Sequence, residues 1–276
     1  MTASEGGRRR ILMCAPDHYG VDYVINPWMA AHVGGVDHAR AVAQWENLRG
    51  RLAEVAALEF VPPRPSLPDM VFTANAGLTI GARVILSRFH FGERREEERH
   101  FRDWFETHGF DVAPWPADVS FEGAGDALLQ RGQEIIWCGW GFRSSERAPQ
   151  LIEKIFARET APLRLVDPRF YHLDTCLCPL GEGRLMYYTR AFDGPSQRRI
   201  ASIVDEDRRI AVSEDDALAF ACNAVEAQGR VFLNAASDDL QARLRAMGLA
   251  PVLTPLSEFL KSGGAAKCLT LALDES

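Results

Sequence analysis

Cys268, His172, Glu122 and Asp69 are the residues with which this chain could do chemistry, and each stands in a stretch too polar or too glycine-rich for an ordinary loop. The stretches are PDMVFTAN (68–75), FEGAGD (121–126), YHLDT (171–175) and SGGAAKC (262–268). A thiol, an imidazole and carboxylates brought together supply a nucleophile, a proton carrier and a grip for a cation. Taken singly, each has a plainer explanation. A cysteine that opens an apolar strand is ordinarily a small buried hydrophobe. His172 could be a strand-end histidine bonded to a carbonyl, and Glu122 and Asp126 could be caps or turn formers. Against this, Ser262-Gly263-Gly264 lets the backbone approach a ligand closely, and Lys267 or an incoming cation would lower the thiol pKa. Two carboxylates flanking small residues beside a buried strand are costly unless they meet a cation.

The elements that must position these residues form a repeat. Four pieces read as strand, glycine-marked turn and strand: GLTIGARVILS (77–87), ALLQRGQEIIWCG (127–139), CLCPLGEGRLMYY (176–188) and CNAVEAQGRVFLN (222–234). Helical patterns follow near 92–109, 145–159, 195–204 and 237–247, with short apolar strands such as Leu163 to Val166 after them, at a spacing of about fifty residues. A strand at Arg10 to Cys14 and a helix near 37–57 open the chain, and an apolar strand from Cys268 to Leu273 closes it. If the two ends complete one unit, five ββαβ-like units result, and such units can close around an axis. An open α/β sheet is the alternative reading of the same pattern. In a ring, equivalent loops share one end, which gathers Asp69, Asn75, Glu122, Asp126, His172, Asp174 and Cys268.

Composition narrows the function. The chain has 276 residues, 47% hydrophobic and 25% charged, enough for a substantial core, and nothing resembles a flexible linker, so one domain over 1–276 is expected. The formal charge of −7 is spread without a basic face, which argues against nucleic acid and suits a small cationic molecule. The opening MTASEGGRRRILMCAP has too short an apolar run for a secretion leader, no stretch approaches a membrane span, and six sparse cysteines read as reduced thiols. The expected setting is the cytoplasm. His172, Cys176 and Cys178 are spaced as in no common zinc pattern, and the glycine-rich pieces match neither nucleotide fingerprint, so no metal or cofactor is expected. Whether the chain forms a homo-oligomer is open.

Together and in this order, from Met13 to Leu273, these stretches resemble the guanidino-group-modifying enzymes, a superfamily of arginine deiminases, dimethylargininases, glycine amidinotransferases and arginine dihydrolases. MCAPDHYGVDYVINPWM (13–29) is a long match, particularly similar to the dihydrolases. The resemblance implies a five-bladed α/β propeller of ββαβ units, the pentein fold. It also implies that Cys268 is the nucleophile, His172 the general acid and base, and Glu122 the carboxylate gripping the guanidinium beside them. Asp69 would bind guanidino nitrogens, and Arg94 in ERREEER (93–99) with Arg143 in GWGFR (139–143) would hold the substrate carboxylate. Asn26, Asn75 and Asp126 would bind the substrate in the same pocket, and Ser262 and Gly263 would add backbone groups.

The resemblance departs at Ala74 and Asn75, where dimethylargininases carry acidic residues. An amide bonds a neutral ureido group about as well as a guanidinium, whereas a carboxylate favours the cation and has no proton to donate. The expectation is therefore arginine dihydrolase, taking L-arginine or a relative such as methylated arginine through a covalent thiouronium to ornithine, ammonia and carbon dioxide. The alternatives are a dimethylargininase, an amidinotransferase, a deiminase that stops at citrulline, and a non-catalytic arginine-binding propeller.

Overall fold

The computed structural model describes residues 8–274; residues 1–7, part of the stretch read above for a leader, lie outside them. The chain opens with β1 (Arg9–Cys14), helix α1 (His38–Ala53) and β2 (Ala56–Val61), which runs parallel to β1. Asp37 starts α1 by accepting the backbone N–H of Arg40, and Ala41, Trp45, Leu48 and Leu52 recur at helical spacing on its buried face.

The pattern then repeats. β3 (Gly77–Ile80) and β4 (Arg83–Leu86) form a hairpin, α2 (Glu97–Thr107) crosses over, and β5 (Asp111–Val112) pairs parallel to β4. β6 (Ala127–Leu129), β7 (Ile135–Trp140), α3 (Ala148–Phe156) and β8 (Glu159–Arg164) repeat it, as do β9 (Leu177–Leu180), β10 (Arg184–Tyr187), α4 (Gly194–Ile203) and β11 (Arg209–Ala211). A short helix α5 (Glu214–Leu218) leads to β12 (Val225–Ala227), β13 (Arg230–Leu233), α6 (Asp238–Ala246) and β14 (Ala250–Leu253). After α7 (Ser257–Leu260), the last strand β15 (Leu271–Ala272) pairs antiparallel with β1, so the two chain ends complete one sheet.

The described residues thus form an α/β fold of five three-stranded sheets, each with one antiparallel and one parallel pairing. One cavity is lined by Ile11 of β1, Thr79 of β3, Leu128 of β6, Cys178 of β9, Glu226 of β12 and Ala272 of β15, so all five sheets border it. The four expected hairpins are present. Two expected strands differ. The strand placed at Leu163 to Val166 begins earlier, at Glu159, because Pro162 lies on an edge strand, where its missing N–H costs no ladder bond. The closing strand is only Leu271–Ala272, and Cys268 lies before it in a turn spanning 266–269. The backbone there bonds outside the sheet: Cys268 N–H donates to Asn223 Oδ1 and the Cys268 carbonyl accepts from Ala74 N–H.

Candidate active site

Single turns of 3₁₀ helix at Thr73–Ala76, Gly123–Gly125 and Leu173–Thr175 stand directly ahead of β3, β6 and β9. With the turn holding Cys268 and the strap 23–28, they surround a cavity lined by Ile25, Asn26, Asp69, Phe72, Asn75, Arg94, Arg143, Tyr171, His172, Ser262, Gly264 and Cys268. The conserved spacing of loops before hairpins is what brings together groups two hundred residues apart in sequence, as the repeat reading required.

Cys268 is 2% exposed; its Sγ lies 3.1 Å from Asn223 Nδ2, which donates to it, and 3.3 Å from Asp174 Oδ2, to which the thiol donates. Burial and then the Asp174 carboxylate push the thiol pKa well up, against smaller opposing effects of Asn223 and Lys267. Lys267 lowers the thiol pKa, as the sequence reading expected, but by less than burial and Asp174 raise it. A side chain on Gly264 would begin 2.7 Å from the Phe72 ring and 3.1 Å from the Cys268 side chain, so only glycine lets this backbone pass Cys268.

His172 Nε2 lies 2.7 Å from Glu122 Oε2, which also accepts from Arg143 Nη1 at 2.9 Å, while Glu122 Oε1 accepts from the His90 N–H at 3.1 Å. Burial alone would raise the Glu122 pKa, but Arg143, His172 and Arg94 outweigh it and hold the carboxyl well below its usual range. The Glu122 carboxylate thus occupies Nε2 of His172 and fixes the orientation of the ring, which lines the cavity. Glu122 therefore reaches the cavity only through His172 and Arg143, and the expectation that it grips a guanidinium directly is corrected in this geometry. Asp126 is corrected likewise: it lies behind the site, where Oδ1 accepts from Leu173 N–H and Oδ2 from the Ser144 hydroxyl.

Asn75 and Arg94 form a second cluster. Arg94 makes a bidentate pair with Glu97 at 2.9 and 2.8 Å, donates to Asn75 Oδ1 at 2.8 Å and to the Asp69 carbonyl at 3.1 Å. Asn75 Nδ2 donates to the Glu122 carbonyl at 3.1 Å, and a Cβ on Gly125 would fall 2.4 Å from that nitrogen, so glycine makes room for the amide. Arg143 lies between the Phe91 and Tyr171 rings, 4.8 and 4.6 Å from their centroids, and commits one N–H to Glu122 and one to the Ile25 carbonyl. That leaves it more donor capacity than Arg94.

Asp69 Oδ2 accepts from the Tyr23 hydroxyl at 2.8 Å, but Asp69 Oδ1 and Asp174 Oδ1 are buried acceptors without a donor. Burial raises both carboxyls, against Arg94 at Asp69 and against Lys267 at Asp174, which reaches about 6. Asn26 Nδ2 donates to the Ser262 carbonyl at 2.9 Å, pinning the strap from MCAPDHYGVDYVINPWM over the cavity. Sequence reasoning missed Asn223, Tyr171, Tyr23 and Phe72. Asn223 had a signal: like Asn75, it stands two residues ahead of the first strand of its hairpin. Among the described residues no helix is long and apolar enough to cross a membrane, and no group of three His, Cys, Asp or Glu could hold a metal.

Residues 36–274 match the family model for N,N dimethylarginine dimethylhydrolase, eukaryotic. The bifunctional arginine dihydrolase/ornithine cyclodeaminase AgrE of Nostoc sp. is 51% identical over 97% of this chain, which spans only 38% of that relative's length. An N(G),N(G)-dimethylarginine dimethylaminohydrolase of Mycobacterium tuberculosis is 38% identical, over 96% of this chain and 86% of its own. Crystal structures of the N-terminal domain of ArgZ, described as an arginine dihydrolase from cyanobacteria, superpose with a TM-score of 0.96 at 50% identity, covering 97% of this chain and 98% of theirs. One is a cysteine-to-serine variant bound to substrate, and another is an asparagine-to-serine variant covalently bonded to a reaction intermediate.

Proposed function

The chain belongs to the dimethylarginine dimethylhydrolase family, and from that membership and the cavity's geometry we propose that it is an arginine dihydrolase with Cys268 as nucleophile. The observation that carries this reading is the pair of buried, donorless carboxylate oxygens on Asp69 and Asp174 around the thiol. A guanidinium offers five N–H donors in a plane and a positive charge, which matches acceptors that none of the described residues satisfies. The fold that holds them is a single five-bladed α/β propeller: β15 closes onto β1, and all five sheets border one shared cavity. Six free thiols, all buried, fit a reducing cytoplasmic setting.

In this reading Asp69 and Asp174 bind the guanidinium, and Arg143, with spare donors, takes the α-carboxylate together with Arg94. Asn26 and the Ser262 carbonyl shape the pocket. The arriving cation offsets the charge that keeps the thiol protonated, and the thiolate attacks the guanidino carbon. His172, oriented by Glu122, protonates the departing nitrogen as ammonia, leaving an S-alkyl thiouronium. Water deprotonated by His172 adds to that carbon, and the C–S bond breaks to give citrulline. Held by Asn75, the ureido group undergoes a second attack and loss of ammonia; hydrolysis of the resulting thiocarbamate gives ornithine and carbon dioxide. That a variant of ArgZ is covalently bonded to a reaction intermediate supports the covalent route.

Substrate competition tests this. With L-arginine and dimethylarginine supplied in turn, kcat/KM for ammonia release from arginine should exceed that for dimethylamine release by at least about tenfold, the scale on which extra methyl groups are discriminated. Preferential dimethylamine release would make the chain a dimethylargininase, and a requirement for glycine as acceptor would make it an amidinotransferase.

A further inference from the structure

Asn223 is fully buried and spends every hydrogen-bonding group of its amide on the nucleophile's surroundings. Oδ1 accepts from the backbone N–H of Ala265 at 2.9 Å and of Cys268 at 3.1 Å. Nδ2 donates to the Asp174 carbonyl at 3.0 Å and to Cys268 Sγ at 3.1 Å. Two donors and two acceptor sites are the whole inventory of the group, so none remains for a substrate. The same amide thus fixes the turn that carries the nucleophile, the backbone of Asp174, whose carboxylate accepts the thiol's hydrogen bond, and the sulfur itself.

The bond to sulfur changes in strength during a reaction. A neutral thiol is a weak acceptor, and a thiolate accepts a charge-assisted bond about twice as strong as a neutral one. The other groups facing the sulfur are Asp174, which accepts from the thiol, Tyr171, and Lys267, which acts on it through its charge. Asn223 is the neutral donor among them, able to stabilise the thiolate whether or not the cation has arrived.

We propose that Asn223 is the positioning residue of the nucleophile, holding Cys268 Sγ in its attacking position and stabilising it as the thiolate. This rests on Cys268 being the nucleophile, and it is tested without turnover. Asn223→Asp keeps acceptors for the two backbone N–H groups and removes the donor to sulfur. The pH dependence of Cys268 alkylation by iodoacetamide, read by mass spectrometry on the Cys268 peptide, should move up by at least about one pH unit. In the full reaction kcat should fall about 10- to 100-fold, the value of one bond to a charged group, with KM within about threefold. A folded Asn223→Asp with unchanged alkylation profile and kcat would overturn the proposal. If that variant does not fold, the unaltered chain decides: with ¹⁵N-asparagine label, one side-chain amide should shift along the thiol titration and lose that shift in Cys268→Ser. No amide following the titration would overturn it. An intact alkylation effect in a chain that does not consume arginine would sink the dihydrolase reading and leave this inference standing.

Discussion

Cys268→Ser should lower ammonia release from arginine by on the order of 10⁴-fold or more while leaving arginine binding nearly intact, the scale seen when the nucleophile of a covalent mechanism is removed. The size follows from the surroundings. A serine hydroxyl has a far higher pKa than a thiol, and at this position burial and Asp174 already oppose ionisation of the more acidic group. The side chains that contact residue 268 are Asn223, a donor, and Asp174, a carboxylate that is a far weaker base than an alkoxide, so neither would ionise a serine hydroxyl. Of the proposed binding groups Asp69, Asp174, Arg143 and Arg94, only Asp174 contacts the sulfur, and its carboxylate is unaltered in the serine variant, so arginine affinity measured by calorimetry should change by no more than about threefold. Ammonia release unchanged in Cys268→Ser would end the covalent mechanism.

Asn75→Asp should turn the chain toward a deiminase, with citrulline as its main product. The carboxylate keeps the bond from Arg94, now an ion pair, but loses the N–H that Asn75 gives to the Glu122 carbonyl. It also sets a new anion near Glu122 and Asp69. A cationic substrate tolerates that charge, whereas a neutral ureido oxygen loses a donor and meets repulsion, a difference of about 1–3 kcal/mol in retaining citrulline, or roughly 5- to 100-fold. Product analysis by mass spectrometry checks it: ornithine as the sole product from Asn75→Asp would remove Asn75 from the choice of reaction.

Much of the fold was legible because a hairpin written twice in alternating residues, then a helix, recurs along the chain, and repetition compensates for the weakness of any single strand signal. The strand expected at Leu163 starts earlier, at Glu159, because a strand edge tolerates a proline that a strand centre does not. Cys268 misled in a different way: the apolar run to Leu273 reads as strand, yet tertiary bonds from Asn223 and Ala74 hold its first residues out of the sheet. In the site, the polar loops named most of the cavity lining. Their order of contact was not legible. Glu122 and Asp126 were identifiable as costly buried carboxylates, but only coordinates show that their oxygens are spent on Arg143, His172, Ser144 and the Leu173 N–H. Asn223 was passed over, despite standing where Asn75 stands ahead of its hairpin, because an amide flanked by Cys222 and Ala224 in an apolar run looks like an ordinary strand entrance. Its importance comes from a partner segment more than forty residues away.

The claim that matters most is that one cavity hydrolyses the same carbon twice, and complete conversion of a limiting quantity of L-arginine tests it directly. Ammonia, ornithine and citrulline are quantified at the end point. We expect about two ammonia for each ornithine and only traces of citrulline, since the covalent intermediate is formed and resolved twice. One ammonia and one citrulline for each arginine, with no ornithine, would contradict it.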